Sequence, residues 1–292
     1  MPVRHDVREK RLAFREILAR PTVTVMPGGF SPVFARMCEE AGFECFFASG
    51  SQMSAYLLGV PDNGTIGLRD VVDHVRHIAK HTSIPVIADA DTGFGNATNV
   101  RFTVRELIAS GVAGLQIEDQ EWPKSSGGRH RSIALDEAVA KIRAAVDVRD
   151  ALDPSFVIAA RTDHLDAEGG TFDETVERCI AYARNGSADL VWFSSPSTRE
   201  QVRIVCRSVP APVLVLWGGR GTEAQPSIEE YAELGARIAQ FGTVASMAGL
   251  QGAWEFLNDF RERGTAALTD FTARANAAPA GRADLRRFIA DR

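Results

Sequence analysis

The sequence predicts a (β/α)8 barrel, an α/β fold of the TIM type. Three observations carry that reading. Eight short runs, nearly continuous in apolar residues and often rich in Val or Ile, alternate with longer segments of helical periodicity. Such runs mark strands buried on both faces, as in parallel sheets. The eight alternations fit within about 240 residues, a usual size for this barrel. No Gly-x-Gly-x-x-Gly follows the first run, which disfavours the alternative, a doubly wound open sheet binding a dinucleotide.

The strand runs, in order, are Thr22–Met26, Phe43–Ser49, Ile84–Asp89, Ala113–Glu118, Phe156–Arg161, Ala188–Phe193 and Pro212–Trp217, with a weaker eighth at Ala236–Phe241. A helix over Ser31–Ala41 opens on Ser-Pro, a cap followed by proline at the first helical position. Leu68–His81 repeats apolar residues at helical spacing, and Thr98–Ser110 ends before Gly111. Leu135–Ala151, Thr171–Asn185, Ser197–Ser208 and Ser227–Leu234 complete the pattern. Gly111, Gly186 and Gly235 stand where a C-terminal helix cap is expected. Thr171-Phe-Asp-Glu174 has the form of a capping box. From Thr265 the chain is rich in Ala and Arg and reads as helical. The division expected is a barrel over 1–264 and a helical tail over 265–292 used as an oligomer contact.

Composition narrows the function. The 292 residues are 45% hydrophobic and 24% charged, with a net charge of −5, the balance of a globular protein. A phosphate-tracking surface needs a basic patch, so nucleic-acid binding is not expected. No stretch approaches the ~18 apolar residues of a membrane span. Met1 to Arg20 is charged throughout and has no apolar core of a secretory signal, so a soluble cytoplasmic protein is expected. The four cysteines, at 38, 45, 179 and 206, form no Cys-x-x-Cys pair and read as buried, reduced thiols.

In a barrel, function gathers at the C-terminal ends of the strands. Strand 2 ends in Ser49-Gly50-Ser51, strand 3 in Asp89-Ala-Asp91-Thr-Gly-Phe-Gly95, strand 4 in Glu118-Asp119-Gln120 and strand 5 in Arg161-Thr162-Asp163. Asp89, Asp91 and Glu118 read as hard oxygen ligands for Mg2+, or Mn2+ in its place, or else as loop carboxylates that cap the next helix or pair with surface lysines. Alternation along an extended strand end would point Asp89 and Asp91 the same way. Arg161 either neutralises these acids or grips a substrate carboxylate through its fork of N–H donors. Ser49, Gly50 and Ser51 offer a carboxylate cradle or a simple turn. The loop Glu118–Arg131, with Gly127-Gly128, suits a lid, and His130 is the histidine in it placed for proton transfer. Gly218-Gly-Arg-Gly221 is a flexible turn or an anion loop. His74, His77 and His81 read as a solvated helix face, and Trp192 and Trp217 as core or pocket wall.

Together these pieces resemble the isocitrate lyase/phosphoenolpyruvate mutase superfamily, nearest in style to its 2-methylisocitrate lyase-like branch. The matching segments are Ser49-Gly50-Ser51, Leu58-Gly-Val-Pro-Asp62, Asp89-Ala-Asp-Thr-Gly-Phe-Gly95, Gly114-Leu-Gln-Ile-Glu-Asp-Gln120, Pro123-Lys124 and Ile158-Ala-Ala-Arg-Thr-Asp163. The resemblance implies that Asp89 holds Mg2+, directly or through water, with Asp91 and Glu118 in the same shell. It implies a 2-oxo acid chelated by the metal, its carboxylate bound by Ser49, Gly50, Ser51 and Arg161. Asp62 would lie near the site, and Lys124 on a gating loop. It further implies an enolate intermediate stabilised by the cation, and a dimer or tetramer that exchanges the last barrel helix.

Three departures matter. Lyases of the family carry a cysteine acid/base in the gating loop, whereas here the loop reads Lys124-Ser-Ser-Gly-Gly-Arg-His130 and Ser126 takes that position. A thiol with a pKa near ~8.5 exchanges protons near neutrality, and a serine hydroxyl does so poorly. The lyase Glu at the end of strand 6 is replaced by Phe193-Ser194-Ser195, and the Asn of strand 7 by Leu216-Trp217. The candidate catalytic residues that the resemblance implies are Lys124, Asp62 and, at the cysteine position, Ser126. The expected reaction is decarboxylation of a 2-oxo diacid or another atypical C–C cleavage. Alternatives are 2-methylisocitrate-type cleavage, P–C bond chemistry on a phosphonopyruvate-like substrate, and a non-catalytic keto-acid-binding barrel.

Overall fold

In a computed structural model describing residues 6–124, 129–218, 223–281 and 283–289, eight parallel strands close into a barrel in chain order. They are β1 (Thr24–Gly29), β2 (Phe46–Ala48), β3 (Val86–Asp89), β4 (Gly114–Glu118), β5 (Val157–Thr162), β6 (Leu190–Ser194), β7 (Val213–Leu216) and β8 (Ile238–Phe241). Each lies within or beside an expected run. β1 continues past Met26 because Gly28 and Gly29 pair with Phe47 and Ala48. At Gly28 a Cβ would fall 2.6 Å from the Gly242 carbonyl oxygen, so only glycine lets these backbones meet.

The helices are α1 (Val7–Ala19), α2 (Pro32–Glu40), α3 (Gly50–Met53), α4 (Leu68–Lys80), α5 (Ala97–Ser110), α6 (Leu135–Leu152), α7 (Phe172–Arg184), α8 (Arg199–Ser208), α9 (Ile228–Leu234), α10 (Val244–Arg263), α11 (Thr265–Ala277) and α12 (Leu285–Ile289). α3 runs into a π-helical turn, Ser54–Leu58. The Ser31 hydroxyl caps α2 and the Thr198 and Ser227 boxes cap α8 and α9. Gly111 and Gly235 end their helices in the left-handed conformation. Gly186 does not: the left-handed residue there is Ser187. Gly186 is required for close approach instead, since a Cβ would lie 2.7 Å from the Tyr182 carbonyl oxygen and 2.9 Å from Ile142. Only half of the Thr171 box forms. The Glu174 N–H donates to the Thr171 hydroxyl, but the Glu174 carboxylate takes that hydroxyl and His164 rather than the cap N–H.

Two apolar layers fill the structure. One lies between strands and helices, and the other inside the barrel, where Met26, Phe47, Ile87, Leu190, Trp192, Leu214 and Ile238 meet. α1, in the segment read only as a charged N-terminus, plugs the bottom of that inner core with Phe14, Ile17 and Leu18. Its cations serve the loops that enter the strands. Lys10 donates to Ala79 and Thr82, Arg11 to Val112 and Ile108, and Arg15 to Ser155 and Phe156. Closing the bottom with a helix leaves the C-terminal rim as the open end.

The tail from Thr265 folds back on α10, the helix that follows β8. α10 and α11 form a hairpin turning at Gly264, with the Phe256 and Phe271 rings 4.7 Å apart. α12 returns to α2, where Arg287 pairs with Glu40 at 2.9 Å. Among the described residues, no helix is long and apolar enough to cross a membrane. His74 departs from the solvated face expected of it: it is half-buried and hydrogen-bonds the Phe30 carbonyl, while His77 and His81 are exposed.

Candidate active site

Parallel register sets the first contacts. Asp89 pairs with Gln116, Glu118 with Arg161 and Arg161 with Trp192. Glu118 and Arg161 thus share the rim, with Arg161 Nη1 3.3 Å from Glu118 Oε2. The guanidinium carbon lies 5.5 Å over the Trp192 ring, a cation–π contact. Trp192 is fully buried and Trp217 nearly so, which makes both core residues.

Asp89 is fixed by three donors. Gly50 N–H reaches Oδ2 at 2.9 Å, while Asp91 N–H and Gln116 Nε2 reach Oδ1 at 3.0 and 2.8 Å. A Cβ on Gly50 would fall 2.9 Å from Asp89 Oδ2, so this approach demands glycine. The Ser49 and Ser51 hydroxyls are 3.0 Å apart beside it. Asp91 lies past the strand end, in the left-handed conformation (φ 51°). A turn, not strand alternation, therefore directs its side chain. Its carbonyl accepts the Glu118 N–H at 3.0 Å.

Lys124 is the hub. Its buried ammonium lies 2.7 Å from Glu118 Oε1, 3.3 Å from Asp91 Oδ2 and 3.2 Å from Asp62 Oδ1. Four carboxylates (Asp62, Asp89, Asp91 and Glu118) thus face two cations, Lys124 and Arg161. Burial and then Glu118 push the Asp91 carboxyl up to about 7, with Lys124 pulling the other way. Burial disfavours the Lys124 ammonium, but Glu118, Asp91, Asp62 and Asp89 outweigh it and hold the proton far more tightly than usual. Arg161 is likewise held charged against burial by Asp163, Glu118 and Asp89.

A buried network beneath the rim did not stand out in the sequence. Asp163 is bonded by Arg161 Nε at 2.9 Å and Gln120 Nε2 at 2.8 Å. Burial works against its charge, but Arg161 and bonds from Gln120 and Ser194 hold its pKa below the usual range. Asp119 accepts from Thr162, Tyr182 and the Asp163 N–H, and pairs with Arg178. The legible signal was Arg178 and Tyr182, a cation and a phenol one turn apart on the apolar face of α7.

Ser126 and Gly127-Gly128 lie outside the described residues, as do Gly219, Arg220 and Gly221. The loop that holds Ser126 is tied at both ends by a Gln120–Ser132 bridge and a 2.7 Å bond from Glu121 N–H to the Arg131 carbonyl. His130 bonds the Asp163 backbone carbonyl at 2.9 Å.

The donor set suits a divalent cation. All four acidic groups are hard oxygen ligands in excess over the cations, and the elevated Asp91 carboxyl expresses that excess. Glu118 Oε1 is buried and makes no hydrogen bond, only the ion pair with Lys124. Among the described residues, no three His, Cys, Asp or Glu side chains converge on one metal position. Asp89, Asp91 and Glu118 therefore form no all-protein cage. Mg2+ keeps several waters and takes only one or two carboxylates directly, so a site for it does not require all three.

The phosphoenolpyruvate phosphomutase family profile matches residues 14–258. A 2-methylisocitrate lyase from Aeropyrum pernix is 36% identical over 265 residues, covering 90% of this chain and 83% of that protein. An oxaloacetate decarboxylase from Rhodopseudomonas palustris is 36% identical over 255 residues, covering 87% and 86%. The structure of a phosphonopyruvate hydrolase in complex with oxalate and Mg2+ superposes with a TM-score of 0.77 at 29% identity, covering 92% of this chain and 98% of that one.

Proposed function

The chain belongs to the phosphoenolpyruvate phosphomutase family, within the isocitrate lyase/phosphoenolpyruvate mutase superfamily, and on that premise we propose a Mg2+-dependent lyase that cleaves a C–C bond in a small 2-oxo or 2-hydroxy carboxylic acid. Decarboxylation of a 2-oxo diacid such as oxaloacetate is the preferred reaction. One observation carries this reading: the buried carboxylates are in place beside Arg161, and no thiol accompanies them. Cys38, Cys179 and Cys206 belong to the outer helices α2, α7 and α8, and Cys45 precedes β2; burial raises the pKa of each, Cys38 to about 11. The loop position expected to hold a thiol is Ser126.

Asp89, with Asp91 and Glu118, would hold the cation. When bound, Mg2+ supplies positive charge to the oxygen of the 2-oxo group as the C–C bond breaks. Arg161 binds the retained carboxylate through its remaining N–H donors, and Ser49, Gly50 and Ser51 close the other side. Lys124 stays protonated and contributes a fixed positive charge, oriented by Asp62. A base on a substrate hydroxyl, which retro-aldol cleavage needs, has no thiol to serve it here. Decarboxylation needs none, because carbon dioxide leaves and solvent water protonates the remaining carbon.

The same reading includes assembly with a second copy of the chain. Met247, Leu250, Trp254 and Leu257 repeat at helical spacing along α10 and are each about 60% exposed. Only Ser246 of that helix is buried. An eighth barrel helix that leaves its apolar stripe uncovered suits exchange between protomers. The free cysteines fit a reducing cytoplasm.

A substrate panel tests the reaction: oxaloacetate, 2-methylisocitrate, 2,3-dimethylmalate and phosphonopyruvate, with and without Mg2+, scored for pyruvate. Release from oxaloacetate that requires Mg2+ supports decarboxylation. Robust cleavage of 2-methylisocitrate would overturn the argument from Ser126. Turnover of phosphonopyruvate alone moves the chain to P–C chemistry.

A further inference from the structure

Behind the carboxylates lies a lysine that no part of the proposed reaction uses. Lys141 belongs to α6, on the outside of the barrel, yet only 5% of it is exposed. It sits in the helix's apolar stripe with Ala138, Ile142 and Ala145, and its ammonium points inward to donate to the Thr92 carbonyl at 3.1 Å. Thr92 follows Asp91 directly, and its N–H donates to Asp91 Oδ1 at 2.7 Å. The bond from Lys141 thus anchors the turn that carries Asp91 in the left-handed conformation. A non-glycine residue keeps that conformation only where its surroundings fix it.

A second observation points the same way. A small cavity, with about 10 Å³ open to the centre of a water molecule, lies between Lys141 and the rear of the rim. Glu118, Asp119, Arg161 and Tyr182 supply its polar lining. That volume and lining suit one water molecule. Thr92 takes one of three ammonium protons, and the other two have no protein acceptor among the described residues. Such a water can accept from Lys141 and donate toward the acids in front of it.

We infer that Lys141 is a positioning residue: it holds the Asp91 turn directly, and the back of Glu118 through one bridging water, in the arrangement that receives the divalent cation. The inference rests on the metal reading above. Residues that orient ligands without touching the metal typically change its affinity by about 10–100-fold when replaced. Lys10 provides an internal control. It is equally buried and also donates to backbone carbonyls, those of Ala79 and Thr82, but at the closed end of the barrel.

The test titrates Mn2+ into wild type, Lys141→Met and Lys10→Met, following free Mn2+ by electron paramagnetic resonance, with thermal unfolding recorded alongside. Lys141→Met should weaken Mn2+ binding at least tenfold. Lys10→Met should lower the melting temperature and leave Mn2+ affinity within twofold. If Lys141→Met does not fold, Lys141→Gln replaces it: one donor for Thr92 survives, the charge is lost, and several-fold weakening is expected. A folded Lys141 variant with wild-type Mn2+ affinity overturns the inference. So does equal weakening in Lys10→Met, which reduces the effect to general stability. Wild type that binds no Mn2+ overturns the metal reading itself, a separate outcome.

Discussion

The Lys124 ammonium lies 2.7 Å from Glu118 Oε1, and Asp62 and Asp91 flank it. A protein cation therefore sits among the acids proposed to receive Mg2+. The two positive charges compete for one set of oxygens, and metal entry requires Lys124 to yield part of its contacts. Lys124→Met should bind Mn2+ about tenfold more tightly, since like charges no longer repel across a few ångströms. The same variant should lose at least about 100-fold in turnover, because the fixed charge is gone. Unchanged Mn2+ affinity would show that Lys124 does not compete.

Metal affinity should depend on pH through Asp91. Burial, then Glu118, raise its carboxyl to about 7, from about 3.9 in an unfolded chain. The folded chain thus keeps a proton that the unfolded chain releases between about pH 4 and 7. Stability of the metal-free protein falls as pH rises through that window. Mg2+ needs the ionised carboxylate, so its affinity rises over the same range, by up to about tenfold per unit below pH 7. Melting curves at about pH 5, 6, 7 and 8, in chelator or in Mg2+, read both trends. A steady rise in chelator from pH 5 to 8 would contradict them.

Arg161 should not tolerate lysine. Its Nε is spent on Asp163 and one Nη on Glu118, and the rest of the fork is proposed to take the substrate carboxylate. A lysine keeps the charge but has no planar fork. Arg161→Lys should lower kcat/KM by about 10²–10³ and weaken oxalate inhibition to a similar degree. Loss of kcat with oxalate inhibition intact would move Arg161 from binding substrate to neutralising acids.

The exposed stripe of α10 should carry assembly. Trp254→Glu with Leu257→Glu places two charges on it and should release monomers, read by light scattering on a sizing column. Wild type is expected as a dimer or tetramer. A monomeric wild type would contradict the exchange of helices.

Much of this was legible in the sequence for a physical reason. Strands of a closed parallel barrel are buried on both faces and read as continuous apolar runs, so seven stood out and the eighth showed more weakly. Their polar C-terminal ends marked Asp89, Glu118 and Arg161. α1 did not stand out because its cations, the buried Lys10 and Arg11 and the half-buried Arg15, bond backbone carbonyls, which no pattern of side chains reports. Asp91 was expected from strand alternation and owes its direction to a left-handed turn. The place of Lys124 at the centre of the acids depends on the path of a loop. Lys141 left a faint trace, a lysine in the apolar stripe of an outer helix.

The most direct test of the central claim compares pyruvate release from oxaloacetate by wild type and Asp89→Asn, each in chelator and in saturating Mg2+. Asp89 is anchored by three donors, from Gly50, Asp91 and Gln116, so its amide should fit the same space. Wild type should depend on Mg2+, and Asp89→Asn should lose at least about 100-fold of that activity while keeping its fold. Wild-type rates in chelator, or full activity in Asp89→Asn, would contradict a metal-assisted cleavage at this rim.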